Sequence, residues 1–116
     1  MTFQRQLNRL RKICLAYPES AEVEAWGHPT FRAGKKIFAS FGTYQDRPST
    51  TVKSTLEEQS MLVQDDSFFV PHYVGHKGWV GIWLDTNVSW DLVAELIEAS
   101  YRAVALKRML KPLDGG

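Results

Sequence analysis

Gly27 and Pro29, two residues apart in the run Trp26-Gly27-His28-Pro29-Thr30-Phe31, constrain this chain more than any other feature. Glycine permits φ > 0, while proline fixes its own φ near about −65° and drives the residue before it, His28, out of the helical region. The run therefore reads as a tight corner between two extended segments. Trp26 and Phe31, large aromatics at its two ends, are the expected structural anchors.

On either side of the corner the apolar residues recur with period two. Val23 and Ala25 alternate with Glu22, Glu24 and Trp26; Phe31 and Ala33 alternate with Thr30 and Arg32. These are half-buried strands. Gly34 and Lys35 make the next turn. A third strand then runs from Lys36 to Phe41, with Ile37, Ala39 and Phe41 on one face and Lys36, Phe38 and Ser40 on the other, before a polar loop containing Gly42, Asp46 and Pro48. Thr50 to Ser54 adds a fourth strand and Trp79 to Leu84 the last.

Outside this stretch the period changes to that of a helix. Phe3, Leu7, Leu10, Cys14 and Tyr17 form one apolar stripe that Pro18 ends. Thr55 with Glu58 three residues on is a capping box opening a short helix to about Val63. Asp65 to Gly78 is irregular, with Phe68, Phe69, Pro71 and Tyr73 expected to fold onto the domain. Ser89 caps the longest helix, whose stripe is Trp90, Val93, Leu96, Ile97, Tyr101 and Val104. The predicted fold is α+β: an antiparallel sheet of about five strands with the N-terminal and C-terminal helices packed on one face.

At 116 residues, 44% hydrophobic and 23% charged, residues 1–116 are expected to form a single domain whose core needs neither disulfide nor metal. The lone Cys14 cannot staple the chain and lies in the apolar stripe of its helix, which suits a reducing cytoplasm. No run is long and apolar enough for a membrane span. A net charge of +1 argues against a strongly electrostatic partner, although Arg32, Lys35, Lys36, Arg47 and Lys53 face only Asp46 between Gly27 and Thr55. The first helix carries its arginines on the solvated side.

Taken in order, Trp26 to Phe31, Lys36-Ile37-Phe38-Ala39, Val52-Lys53, Pro71-His72-Tyr73, Lys77-Gly78-Trp79-Val80 and Ser100-Tyr101 resemble the MmcQ/YjbR-like family over nearly the whole chain. The resemblance implies a bacterial protein with a frataxin-like (CyaY-like) two-layer sandwich and a DNA-binding role. It places the family's corner on Trp26, Gly27, His28 and Pro29, its sheet lysine on Lys53, and its lysine and tryptophan before the last strand on Lys77 and Trp79. Gly78 stands where a further basic residue is common in the family. The iron chemistry of frataxins is not implied, because the first helix has no acidic row.

No catalytic constellation emerges, so a non-enzymatic protein is expected, with no cofactor. His72 and His76 have helical metal-ligand spacing, but Pro71 and Gly75 oppose a helix there and no third ligand is close in sequence, so no metal is expected. His28, before a proline, reads as a local hydrogen-bonding residue. The informative feature is the sheet face away from the helices, where alternation puts Arg32, Lys36, Phe38, Lys53, Trp79 and Trp83. Interleaved basic and aromatic residues are what a nucleic-acid stacking platform uses, and Arg32, Lys36, Arg47, Lys53, Lys77 and Trp79 are the candidate contacts. DNA binding would be weak and salt-sensitive, by a cytoplasmic monomer with no membrane role. The alternatives are that Phe38, Trp79 and Trp83 are covered by the short helix and residues 65–78 as a second small core, or that the same aromatic face binds a protein or small ligand.

Overall fold

The computed structural model describes residues 3–115. Helix α1 (Gln4–Cys14) leads into three consecutive hairpins that build strands β1 (Ser20–Ala25), β2 (His28–Ala33), β3 (Lys36–Tyr44) and β4 (Arg47–Val52). There follow α2 (Leu56–Leu62), the two-residue strand β5 (Phe68–Phe69), a 3-10 turn (Gly75–Lys77), β6 (Val80–Trp83), α3 (Trp90–Val104) and α4 (Lys107–Leu110). All strand pairs are antiparallel, and the six-stranded sheet has the order β1-β2-β3-β4-β6-β5.

Each hairpin turns on two residues, which fixes its register. Ala25 lies opposite His28, and the loop residues Trp26 and Gly27 both have positive φ, +52° and +80°, the signature of a type I′ turn. Gly34, φ +62°, opens the second turn. The third was not expected where it falls: Gln45 and Asp46 both lie at positive φ, +56° and +60°, between paired Tyr44 and Arg47. Gly42 and Pro48, read from the sequence as loop residues, are therefore in paired strands.

The core lies between the sheet and α1, α3 and α4. Leu10 and Cys14 of α1, Val93, Leu96, Ile97, Tyr101 and Val104 of α3 and Met109 of α4 pack against Phe31, Ala33, Phe38, Ala39, Val52, Val80 and Ile82. Tyr101 stacks on Tyr17 at 4.6 Å, meets Phe38 edge-on at 5.2 Å and donates a 2.6 Å hydrogen bond to the Pro18 carbonyl. Ser100, wholly buried, donates to the Phe38 carbonyl (2.6 Å) and accepts from the Lys53 amide (2.9 Å), tying α3 to two strands. Burial pushes the Cys14 thiol well above its usual range, so it sits in the core as a small neutral hydrophobe.

A bulge corrects the simple alternation in β3. Phe31 pairs with Ala39 but Arg32 pairs with Ile37, leaving Phe38 as an extra residue. Phe38 and Ala39 both bury themselves completely on the helix side, and Ile37 passes to the opposite face. Lys36 moves as well: it pairs with Ala33, a helix-side residue, rather than projecting from the open face.

Candidate functional site

On the face away from α1 and α3, neighbouring strands present small residues at paired positions: Thr30 opposite Ser40, Ser40 opposite Thr51, Gly42 opposite Ser49, and Thr51 opposite Gly81. They form a shallow floor. Its hydroxyls are already engaged, since Ser40 and Thr51 hydrogen-bond each other, Thr30 donates to the Val23 carbonyl and Ser49 donates to the Gly42 carbonyl. A ligand on this floor meets methyls and satisfied hydroxyls rather than polar groups in need of a partner.

Two walls rise from the floor and enclose a groove of about 430 Å³. One wall comes from the first hairpin and β3: Ala25, Trp26, His28 and Ile37. The His28 ring leans over Gly42, whose missing side chain leaves the imidazole room. The other wall is Tyr44 with Phe69, Pro71, His72, Val74 and Trp79. Phe69 can lie flat there because residue 81 is glycine; a Cβ at Gly81 would come within 2.2 Å of the Phe69 ring. The Tyr44 hydroxyl and His72 Nε2 are 2.7 Å apart, which anchors the 70–74 segment to β3.

Behind this wall Trp83 is buried under Phe69 at 4.3 Å, with the Arg47 guanidinium 4.0 Å over its ring. Arg47 also makes a bidentate pair with Asp85, both contacts at 2.9 Å. These hydrogen bonds hold the Asp85 carboxyl below the usual carboxylate range and raise the Arg47 guanidinium further above its own.

The residues expected to contact nucleic acid do not converge. Trp79 alone of the six lines the groove. Arg32 projects from the floor side of β2 and donates to the Thr30 hydroxyl at 3.3 Å. Lys36 is on the helix side at the end of the sheet, Arg47 is bound to Asp85 and stacked on Trp83, Lys53 follows β4 with its amide bonded to Ser100, and Lys77 is exposed in the 3-10 turn. Phe38 leaves the open face for the core because of the bulge, and Trp83 is covered. Phe31 is wholly buried as an anchor must be, but Trp26 is 83% exposed and anchors nothing; Tyr73, expected to fold onto the domain, is 93% exposed.

What the sequence reading missed is the floor and its rim: Thr30, Ser40, Ser49, Thr51, Tyr44 and His72. The signal was present as alternate small residues, Ser40 and Gly42 facing Ser49 and Thr51, but it becomes a floor only once the turn is placed at Gln45 and Asp46. Among the described residues, no group of three or more His, Cys, Asp or Glu side chains is arranged to hold a metal ion, and no helix is long and apolar enough to cross a membrane.

These features define a two-layer α+β domain with helices on one face of an antiparallel sheet and an aromatic-walled groove on the other. The YjbR family model matches residues 15–103, and the chain belongs to that family. Among solved structures, a Deinococcus radiodurans protein with the family-model domain DUF419 is 26% identical with a TM-score of 0.78, covering 93% of this chain and 87% of that one. A Pseudomonas syringae protein, 17% identical with a TM-score of 0.69 over 89% of this chain and 98% of that one, shares the fold. No curated protein matches the chain.

Proposed function

We propose that this YjbR-family domain is a non-enzymatic binding module that takes a small, flat, uncharged ligand in the groove on its open sheet face. One observation carries the reading: the groove of about 430 Å³ is walled by Trp26, Tyr44, Phe69 and Trp79, and among the described residues no lysine, arginine, aspartate or glutamate lines it. The volume is within the range of roughly 300–1,000 Å³ usual for small-molecule sites. An anionic ligand would be desolvated there without a counter-charge, whereas an aromatic ring gains contact on both faces. Among the described residues no carboxylate stands beside the Tyr44–His72 pair in the groove to orient the imidazole for acid–base work, which favours binding over catalysis.

The test uses N-phenyl-1-naphthylamine, an uncharged fluorophore with a flat naphthyl ring that brightens in apolar surroundings. Wild type should bind it with an affinity that scarcely changes with salt. Gly42→Val should abolish binding, because strand backbone at Gly42 accepts a side chain whose Cβ meets only the His28 ring at 3.5 Å, and the added methyls occupy the floor. No binding to wild type, or equal binding to both proteins, would refute the reading.

DNA binding keeps support from a different surface than the one expected. Arg5, Arg9 and Lys12 share one exposed face of α1 with Asn8, and none of the three has a carboxylate partner among the described residues. If that face holds phosphates, three contacts give a slope of log K against log salt of about −2 to −3, which Arg5→Ala, Arg9→Ala and Lys12→Ala together would remove. Lys53→Ala with Lys77→Ala would then change little. Anisotropy titrations with single-stranded and double-stranded oligonucleotides at several salt concentrations separate the two surfaces.

A further inference from the structure

We propose that Trp26 and Tyr73 are an aromatic clamp, held ready at the two lips of the groove to close on the face of a bound ring; the inference rests on the groove being a ligand site. Both residues are almost bare, 83% and 93% exposed. A large apolar side chain left this free gives nothing to the fold. Both also hold left-handed backbone, φ +52° at Trp26 and +68° at Tyr73, a conformation that bulky side chains seldom adopt and that costs free energy. Two strained, unburied aromatics, Trp26 lining the groove and Tyr73 set between two residues of its far wall, are a poor arrangement for stability and a suitable one for binding.

The composition of the first hairpin turn sharpens the point. In a type I′ turn both loop positions need φ > 0, and asparagine followed by glycine meets that need with little strain. This chain has glycine second, at Gly27, but tryptophan first. Asparagine at position 26 would serve the turn better, so the tryptophan answers to something other than the turn. Trp26 already lines the groove, where it stands next to His28. Across the groove His72 and Val74 line the other wall on either side of Tyr73 in sequence, and the Tyr73 ring centre is 6.3 Å from that of His72. A ring lying on the hydroxyl floor would have Trp26 free to swing onto it from one lip and Tyr73 from the other. The ligand is thereby narrowed to one with a flat aromatic or conjugated system exposed at the groove mouth.

The measurements are melting temperature and N-phenyl-1-naphthylamine affinity for wild type, Trp26→Asn, Trp26→Phe, Tyr73→Ala and Gly42→Val. Trp26→Asn should melt at or above wild type, because it relieves the turn, and should bind the probe about 10-fold or more weakly, the loss of one aromatic face. Tyr73→Ala should cost about 3-fold, and Trp26→Phe should retain most of the affinity. A lower melting temperature for Trp26→Asn would mean that the tryptophan packs in the fold after all and would overturn the clamp. Wild-type affinity in Trp26→Asn together with abolished binding in Gly42→Val would overturn the clamp while leaving the groove a binding site. Equal binding in Gly42→Val and wild type, or none in wild type, would remove the groove reading and the clamp with it.

Discussion

On its helix side the sheet carries Phe31, Phe38, Val52, Val80 and Ile82, all wholly buried; on its open side the same strands carry Thr30, Ser40, Gly42, Ser49, Thr51 and Gly81. The first set fills space and stabilises the fold by roughly 1.5–3 kcal/mol per buried side chain. The second leaves space, and its hydroxyls bond to one another or to nearby carbonyls so that the vacancy is not polar. Large aromatics do occur on the open side, but they stand at its margins, Trp26 at one edge and Tyr44, Phe69 and Trp79 at the other. A surface with small residues at the centre and rings at the border is shaped as a receptacle; a face awaiting a helix would carry its bulk in the middle.

Exchanging consecutive residues of β3 gives the largest break of this comparison. Relative to strict alternation the bulge exchanges the faces of Ile37 and Phe38, turning Phe38 into the core and Ile37 to the open side. Phe38→Ala should cost about 3–5 kcal/mol by leaving a cavity against Tyr17 and Tyr101. Ile37→Ala, at the half-buried groove wall, should cost about 1 kcal/mol. Urea unfolding of the two variants decides it. The reverse order would restore strict alternation and place Phe38 on the open face.

That residue also marks where sequence reasoning stopped. The hairpin corner, the capping box at Thr55 and Glu58, the Ser89 cap and both long helices could be read because each rests on local chemistry: a φ requirement, a side-chain acceptor or an apolar stripe. Thr55 does accept from the Glu58 amide and Ser89 from the Leu92 amide. The bulge has no such local mark. Nothing in Lys36-Ile37-Phe38-Ala39 announces an extra residue; it arises because Phe38 gains more by packing on Tyr101 than the sheet loses in one irregular pair. One missed residue then turned Phe38 and Lys36 to the wrong side and filled the open face on paper with bulk and charge that the fold does not put there. Arg47 illustrates a second limit, since its partner Asp85 is 38 residues away and their pairing follows from strand order alone. The turn at Gln45 and Asp46 is a third, because neither residue is glycine and no local signal favours it over Gly42.

A smaller effect separates the hydroxyls of the two faces. Ser100→Ala leaves the Phe38 carbonyl and the Lys53 amide without their partner beside a wholly buried position, and should cost about 2 kcal/mol. Thr51→Val on the open face removes one bond to Ser40, whose hydroxyl can turn to water in the groove, and should cost about 0–1 kcal/mol. Equal costs, measured as shifts in urea midpoint at unchanged slope, would mean that the floor is as dry and tightly packed as the core.

The smallest expected effect tests whether the Trp83 side of the wall is held by charge or by stacking. Arg47 hydrogen-bonds Asp85 and so keeps its carboxyl pKa below that of the unfolded chain, about 3.9 for an aspartate. A group with a lowered folded pKa binds its proton less readily in the fold, so its contribution is fully present above the unfolded pKa and fades as pH falls below about 4. The pair is solvent-exposed and screened by water, so its contribution at neutral pH is small. Asp85→Asn should therefore melt slightly below wild type at pH 7, and the gap should close toward pH 3. Arg47 would still rest on the Trp83 ring, so the groove wall and its probe affinity should be unchanged by Asp85→Asn, whereas Arg47→Ala removes both interactions and should loosen Phe69 with Trp83. If Asp85→Asn alone lowered probe affinity at pH 7, the wall would depend on the ion pair, and the groove side of the sheet would be less self-sufficient than its satisfied hydroxyls and stacked rings imply.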